Sequence, residues 1–165
     1  MKKQGALGKR GRRFLGEDMS DIISKEFAEL TPYELHAILK ARCDVFVVEQ
    51  NCAYTDIDGI DPICRHLFTL NDKGECTSCL RLFIKPDEPH TVQIGRVVTT
   101  ERGTGLGGRL LHEGVKQALM YEGVEQLYLE AQVYAIGFYA KEGFEVCSEE
   151  FLEDGIPHVK MRRKI

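Results

Sequence analysis

No run of about 18 apolar residues occurs in this chain, so no segment reads as a membrane-spanning helix. Nor does an apolar export signal precede its six cysteines, at 43, 52, 64, 76, 79 and 147. Their absence from an exported context points to free thiols in a reducing, cytoplasmic setting. Cys76 and Cys79 form the one Cys-x-x-C, and no second pair stands at a matching spacing; the nearest candidates are Cys64 and His66. If both cysteines lie in one strand, an offset of three sends them to opposite faces, so no metal site is expected. Acids are missing from the first thirteen residues, which carry Lys2, Lys3, Lys9, Arg10, Arg12 and Arg13. With those six set apart, the rest of the chain holds 16 basic against 26 acidic residues. An acidic body argues against nucleic acid as the main partner and suits a cationic substrate.

What is present fits one soluble domain: 165 residues, 43% of them hydrophobic and 29% charged, without repeats or low-complexity tracts. The expected division is a basic, solvated tail over 1–20, with Met19 a candidate start, and a single domain over 21–165. "DIISKEFAEL" (21–30) can form a first strand. Thr31, Pro32 and Glu34 then supply an N-cap, an N1 proline and a capping-box acid, which predicts a helix from Pro32 to about Phe46. The turn-rich "AYTDIDGIDP" (53–62) reads as an acidic loop. Strands are expected at 64–70 and 76–84, joined at "NDKG", and at 91–100, where one glycine can mark a bulge. A helix from Gly105 to about Tyr121, a strand at 126–131, a short helix at 135–143 and strands at 144–148 and 156–164 complete an α+β order. The sheet should be mixed and largely antiparallel.

The most informative stretch is "VVTTERGTGLGGRLL", from Val97 to Leu111. A strand that turns into a helix aims unpaired N–H groups and a positive dipole end at one spot, an anion site. Gly103, Gly105 and Gly108 spell the G-x-G-x-x-G of a dinucleotide binder; Arg102, Gly105 and Gly107 spell R-x-x-G-x-G, a coenzyme A pyrophosphate loop. Arg109 and Leu110 stand where a P-loop needs Lys and Ser or Thr, so that reading is excluded. Glu130 lies on the next strand, where a dinucleotide fold places its ribose acid, but such a fold begins with this unit and repeats it. Here the motif comes late.

Downstream, "QVYAIGFYAKEGFEV" (132–146) supplies Ala135, Ile136, Phe138, Tyr139, Lys141, Gly143 and Phe144 in the order of a second motif. With both motifs in place the chain resembles the GNAT superfamily of N-acetyltransferases. "RCDVFVVEQNCAYTDIDGID", "IGRVV" and "EDGIPHVKM" are similar to its ElaA-type branch, and the resemblance runs from about Ile22 to Met161. Gln132 departs from the asparagine usual in the family.

The resemblance implies the GNAT (acyl-CoA N-acyltransferase) fold, with a central sheet flanked by helices whose fourth and fifth strands splay. Acetyl-coenzyme A would be the co-substrate, with Val97, Val98 and Thr99 along its pantetheine arm. Its pyrophosphate would rest on Arg102, Gly103, Thr104, Gly105, Leu106, Gly107 and Gly108, with Gln132 nearby and a backbone N–H near Val98 facing the oxyanion. Tyr139 matches the family's general acid; an ordinary phenol stays protonated at neutral pH. Some members carry a glutamate base on the fourth strand, but no carboxylate occurs from Thr91 to Thr100. Glu49, His66, Asp58 and His158 remain as base candidates. The acceptor pocket would draw on Phe46, Glu49, Asp56, Asp58, Asp61, Glu153, Asp154 and His158, an acidic set suited to a small-molecule or peptide amine. A homodimer is compatible with the fold. A non-catalytic acyl-coenzyme A sensor and, on the other reading of the glycines, a nicotinamide-dependent oxidoreductase stay open at this point.

Overall fold

The computed structural model describes residues 21–165; the basic tail expected over 1–20, Met19 included, lies outside them. The first helix opens as its sequence dictates. Thr31 Oγ1 accepts the Glu34 N–H at 3.2 Å, and the Glu34 carboxylate accepts the Thr31 N–H at 2.8 Å, with Pro32 at the first helical position. This helix, α1 (Pro32–Arg42), ends earlier than its apolar spacing suggests and widens into a π-type coil over Cys43–Glu49. Within that coil the Gln50 N–H reaches back to Val45 O at 3.1 Å and the Cys52 N–H to Val47 O at 3.1 Å. Val45, Val47 and Val48 are β-branched and lose χ1 freedom in a tight α-turn, which favours the wider path.

Among the described residues, eight strands form one sheet: β1 (Ile23–Glu26), β2 (Arg65–Leu70), β3 (Cys76–Lys85), β4 (Glu88–Thr99), β5 (Gln126–Gln132), β6 (Glu145–Val146), β7 (Phe151–Glu153) and β8 (Ile156–Lys164). Their order is β1-β2-β3-β4-β5-β8-β6, with β7 also on β8. All pairs are antiparallel except β4 with β5. Helix α2 (Leu106–Ala118) crosses between that parallel pair, and the short α3 (Ile136–Ala140) follows β5.

The two long helices cover opposite faces. Leu110, Leu111 and Val115 of α2 pack on Leu80, Ile94 and Leu129, while Ala37, Ile38 and Ala41 of α1 pack on Phe68, Cys79 and Val98. A Cβ on Gly114 would stand 2.9 Å from Leu80 Cδ2, so α2 lies as close to β3 as a glycine permits.

Two irregularities change which face a side chain meets. At the start of β3, Leu70 pairs with Cys76 and Thr69 with Ser78, so Thr77 is an extra residue. The expectation that Cys76 and Cys79 face opposite sides fails for this reason: both are buried against α1. In β4, Arg81 pairs with Gly95 but Cys79 with Val98, and Arg96 takes φ 54°. Val92 and Ile94 face α2 before this bulge and Val98 faces α1 after it, the reversal that one inserted residue produces.

The hairpin β7–β8 was not anticipated from sequence. Asp154 and Gly155 both adopt left-handed backbone, φ 49° and 79°, the requirement of a two-residue turn that matches strand twist.

Candidate active site

Strands β4 and β5 pair only from Thr91–Gln126 to Gln93–Tyr128. Both continue, to Thr99 and to Gln132, but apart from each other. The bulge at Arg96 lies just beyond the last pair and bends β4 away. Between the strands opens a cavity of about 890 Å³, lined along β4 from Gln93 to Thr99 and closed around by Phe46, Tyr139, Glu130 and His158.

The open edge of β4 carries unpaired backbone groups. The Thr100 N–H bonds to Thr77 O at 2.9 Å, and antiparallel pairs alternate between bonded and non-bonded. The Val98–Cys79 pair is therefore a bonded one, and Val97 and Thr99 turn their N–H and C=O groups to the gap. A donor for an oxyanion on this edge is thus a neighbour of Val98 rather than Val98 itself.

The glycine turn sits at the Thr99 end. Gly103 and Gly105 have φ of 78°, which requires glycine or costs strain. Thr104 Oγ1 donates to Glu101 O at 2.9 Å and accepts the Leu106 N–H at 3.3 Å, just ahead of Gly105, the N-cap of α2. Leu106 buries its side chain in the core and its N–H is already bonded, so it offers an anion little. A Cβ on Gly107 would come within 3.3 Å of Thr99 Cγ2. Gly108 has ordinary helical φ and nothing within 4 Å of where a Cβ would stand. Neither conformation nor packing calls for glycine there.

Two contacts tie the π-type coil to this end. Arg102 forms an ion pair with Glu49, and Gln50 and Gln132 exchange amide hydrogen bonds at 3.1 and 3.4 Å. Glu49 therefore lies on Arg102 in an adjoining hollow and does not line the main cavity. His66 is also elsewhere: it is buried, 3.0 Å from Asp61 O and beside the Phe27 ring, and burial pushes its pKa down.

Tyr139, on α3, lines the cavity between Phe138 and Phe144, both edge-on, at ring distances of 5.1 and 6.5 Å. Burial raises its phenol further above the ordinary value, with Tyr134 adding to the shift. It is held as a proton donor at neutral pH.

The acidic loop behaves differently from expectation. Asp58 reaches the cavity, but Arg81 bonds it at 2.8 Å and Arg96 at 3.1 Å. Burial pushes the Asp58 carboxyl up, yet Arg81, the Ile60 N–H and the Arg96 charge hold it well below the usual range. Asp61 lies 2.7 Å from Arg42 and 3.0 Å from Arg81; Asp56 lies 2.9 Å from Arg42 and 2.8 Å from Arg96. Three arginines neutralise the three aspartates, so these acids do not make the pocket anionic. Among the described residues, the cavity-wall carboxylates without a lysine or arginine partner are instead Glu130, Glu153 and Asp154. Glu130 accepts the Tyr128 hydroxyl at 2.6 Å. In sequence Glu130 stands out only as a possible ribose acid; its place on β5, two residues before Gln132 and so on the same face, is the signal that points it into the gap.

An open sheet whose parallel central strands part over a glycine-capped helix defines the GNAT acyl-CoA N-acyltransferase fold. The acetyltransferase (GNAT) domain family matches residues 65–165, and the chain belongs to it. Among its relatives, ElaA of Escherichia coli is 38% identical over 141 residues, covering 84% of this chain and 92% of ElaA. A UPF0039 protein of Schizosaccharomyces pombe is 39% identical over 148 residues, 88% and 97% of the two chains. The crystal structure of an acyl-CoA N-acyltransferase from Pseudomonas aeruginosa superposes with a TM-score of 0.80 at 39% identity, over 87% of this chain and 99% of that one. The E. coli ElaA structure superposes with a TM-score of 0.81 at 35% identity, over 87% and 99%. The strings that resemble the ElaA branch in sequence thus belong to a chain related to ElaA over 84% of its length.

Proposed function

We propose that this chain transfers an acetyl group from acetyl-coenzyme A directly to a primary amine in the cytoplasm. The observation that carries the reading is the parted β4 edge, ending in a helix start where Gly108 leaves room that neither fold nor packing uses. An extended amide-bearing arm can pair with Val97 and Thr99 as an added strand would. A pyrophosphate fits the N–H groups of Gly107 and Gly108, with Arg102 turning from Glu49 to meet it.

The chain's own residues supply two chemical elements. A free N–H on the β4 edge faces the acyl oxygen and stabilises the charge that develops there. Tyr139 gives its proton to the departing thiolate. The acceptor meets a wall bearing Glu130, Glu153 and Asp154, which favours a cationic small-molecule or peptide amine.

Thiol release from acetyl-coenzyme A, followed with wild type and Tyr139→Phe, tests the reading. Binding retained with turnover reduced about 10²- to 10⁴-fold in the variant supports it. Binding without turnover in the wild type, across a panel of amines, indicates a sensing module.

A further inference from the structure

We propose that His158, held by Ile156 O and with Glu153 beside its free nitrogen, is the general base that takes the proton from the acceptor ammonium. The inference rests on the acetyl-transfer reading above and names a catalytic residue for it. His158 lies on β8 opposite Gln132, lines the cavity and is 9% exposed. Its Nδ1 is 2.8 Å from Ile156 O, and a carbonyl only accepts, so Nδ1 carries the hydrogen. In the neutral ring Nε2 then holds a lone pair. That nitrogen lies 3.6 Å from Glu153 Oε2. Phe151 stacks on the ring at 6.0 Å with planes 29° apart, which fixes the direction of Nε2.

The two-residue turn at Asp154 and Gly155 makes the pair. It places Phe151 opposite His158 and Glu153 one diagonal step away on the same face. Glu130 from β5, Asp154 from the turn and Arg96 from β4 also face Glu153. Partial burial raises the Glu153 carboxyl, and Glu130 and Asp154 add to this against His158 and Arg96.

An ammonium nitrogen sheds two protons on becoming an amide. The first passes to His158 Nε2 and frees the lone pair that forms the N–C bond, while the imidazolium faces the Glu153 carboxylate. The thioester C–S bond breaks, its electron pair stays on sulfur, and Tyr139 protonates that sulfur. The second nitrogen proton restores Tyr139 through water, and His158 returns its own to solvent. No oxidant or further reactant is needed.

The test compares wild type, His158→Asn and Glu153→Gln with two acceptors, 1,4-diaminobutane and hydroxylamine. The diamine is protonated at pH 7 and needs a base; hydroxylamine is already neutral. Acetyl-coenzyme A affinity by calorimetry and thermal melting control for cofactor binding and folding. A fall in kcat/KM for the diamine of about 10²- to 10⁴-fold in His158→Asn, smaller in Glu153→Gln, with near-wild-type rates on hydroxylamine, is the expected result. Equal losses on both acceptors, or none on either, would overturn the assignment. Wild type that binds acetyl-coenzyme A but acetylates neither would overturn the transfer reading together with it, whereas a wild type active on both leaves that reading standing whatever the variants do.

Discussion

Arg96 Nε lies 2.8 Å from Asp56 Oδ1, and this ion pair ties the kink of β4 to a loop forty residues earlier. Arg96 holds a left-handed backbone at φ 54°, a conformation that costs a non-glycine residue about 1–2 kcal/mol. Asp56 O and Asp58 also bind its guanidinium, and the Tyr54 ring lies 5.7 Å beneath it. The acidic loop therefore serves the strand: its charges keep the bulge that parts β4 from β5.

Replacing Asp56 with Asn should be costly. Asp56 is buried between Arg42 and Arg96, and removing one partner of a buried ion pair typically destabilises by about 3–5 kcal/mol. Urea denaturation should show such a loss for Asp56→Asn and a smaller one for Asp58→Asn, whose side chain is 29% exposed.

Gly108→Ala separates folding from ligand approach. Alanine is favoured over glycine in a helix by about 1 kcal/mol and meets no neighbour here, so melting should hold or rise. Acetyl-coenzyme A affinity should nevertheless fall about tenfold or more, a change of about 1.4 kcal/mol, because on the proposed reading the added methyl stands where the pyrophosphate would approach.

Glu49→Gln should leave turnover intact. Its carboxylate lies on Arg102, away from Tyr139, and on the proposed reading would compete with the incoming pyrophosphate. Exposed pairs contribute up to about 1 kcal/mol, so acetyl-coenzyme A should bind the variant equally well or up to about fivefold tighter. A large loss of kcat would restore Glu49 as a base.

Stability should depend on acid in one direction. The carboxyls of Asp58 and Asp61 are held low by Arg81 and Arg42 against the opposing effect of burial, and that of Glu88 is lowered to about 2, chiefly by Arg162. Groups depressed in the folded state contribute stability that is complete above their unfolded values, near 4, and is lost as pH falls through the folded ones. The urea midpoint should decline gently below about pH 6.5, where burial keeps His66 neutral while the unfolded chain gains its proton, and drop steeply between about pH 4 and 2. Asp58→Asn should soften that drop.

Much of the fold was legible because its signals are local. Thr31, Pro32 and Glu34 announce α1 within four residues, and the spacing of Leu106, Leu110, Leu111 and Val115 announces the buried side of α2. The glycine turn was legible for the same reason. What escaped depends on partners distant in sequence. Nothing near Asp56, Asp58 or Asp61 says that Arg42, Arg81 and Arg96 will neutralise them. The bulges at Thr77 and Arg96 exist only as mismatches of register between two strands, so a reading of one strand at a time sent Cys76 and Cys79 to opposite faces. The Asp154–Gly155 turn is a local hairpin signal, but its consequence, Glu153 beside His158, needs the pairing of both strands.

Calorimetric titration of the full chain with acetyl-coenzyme A and, separately, with NADH bears most directly on the assignment of the gap between β4 and β5. Saturable heat with acetyl-coenzyme A, lost in Gly108→Ala, and none with NADH is the expected result. Binding of NADH, or heat with neither ligand, would contradict it.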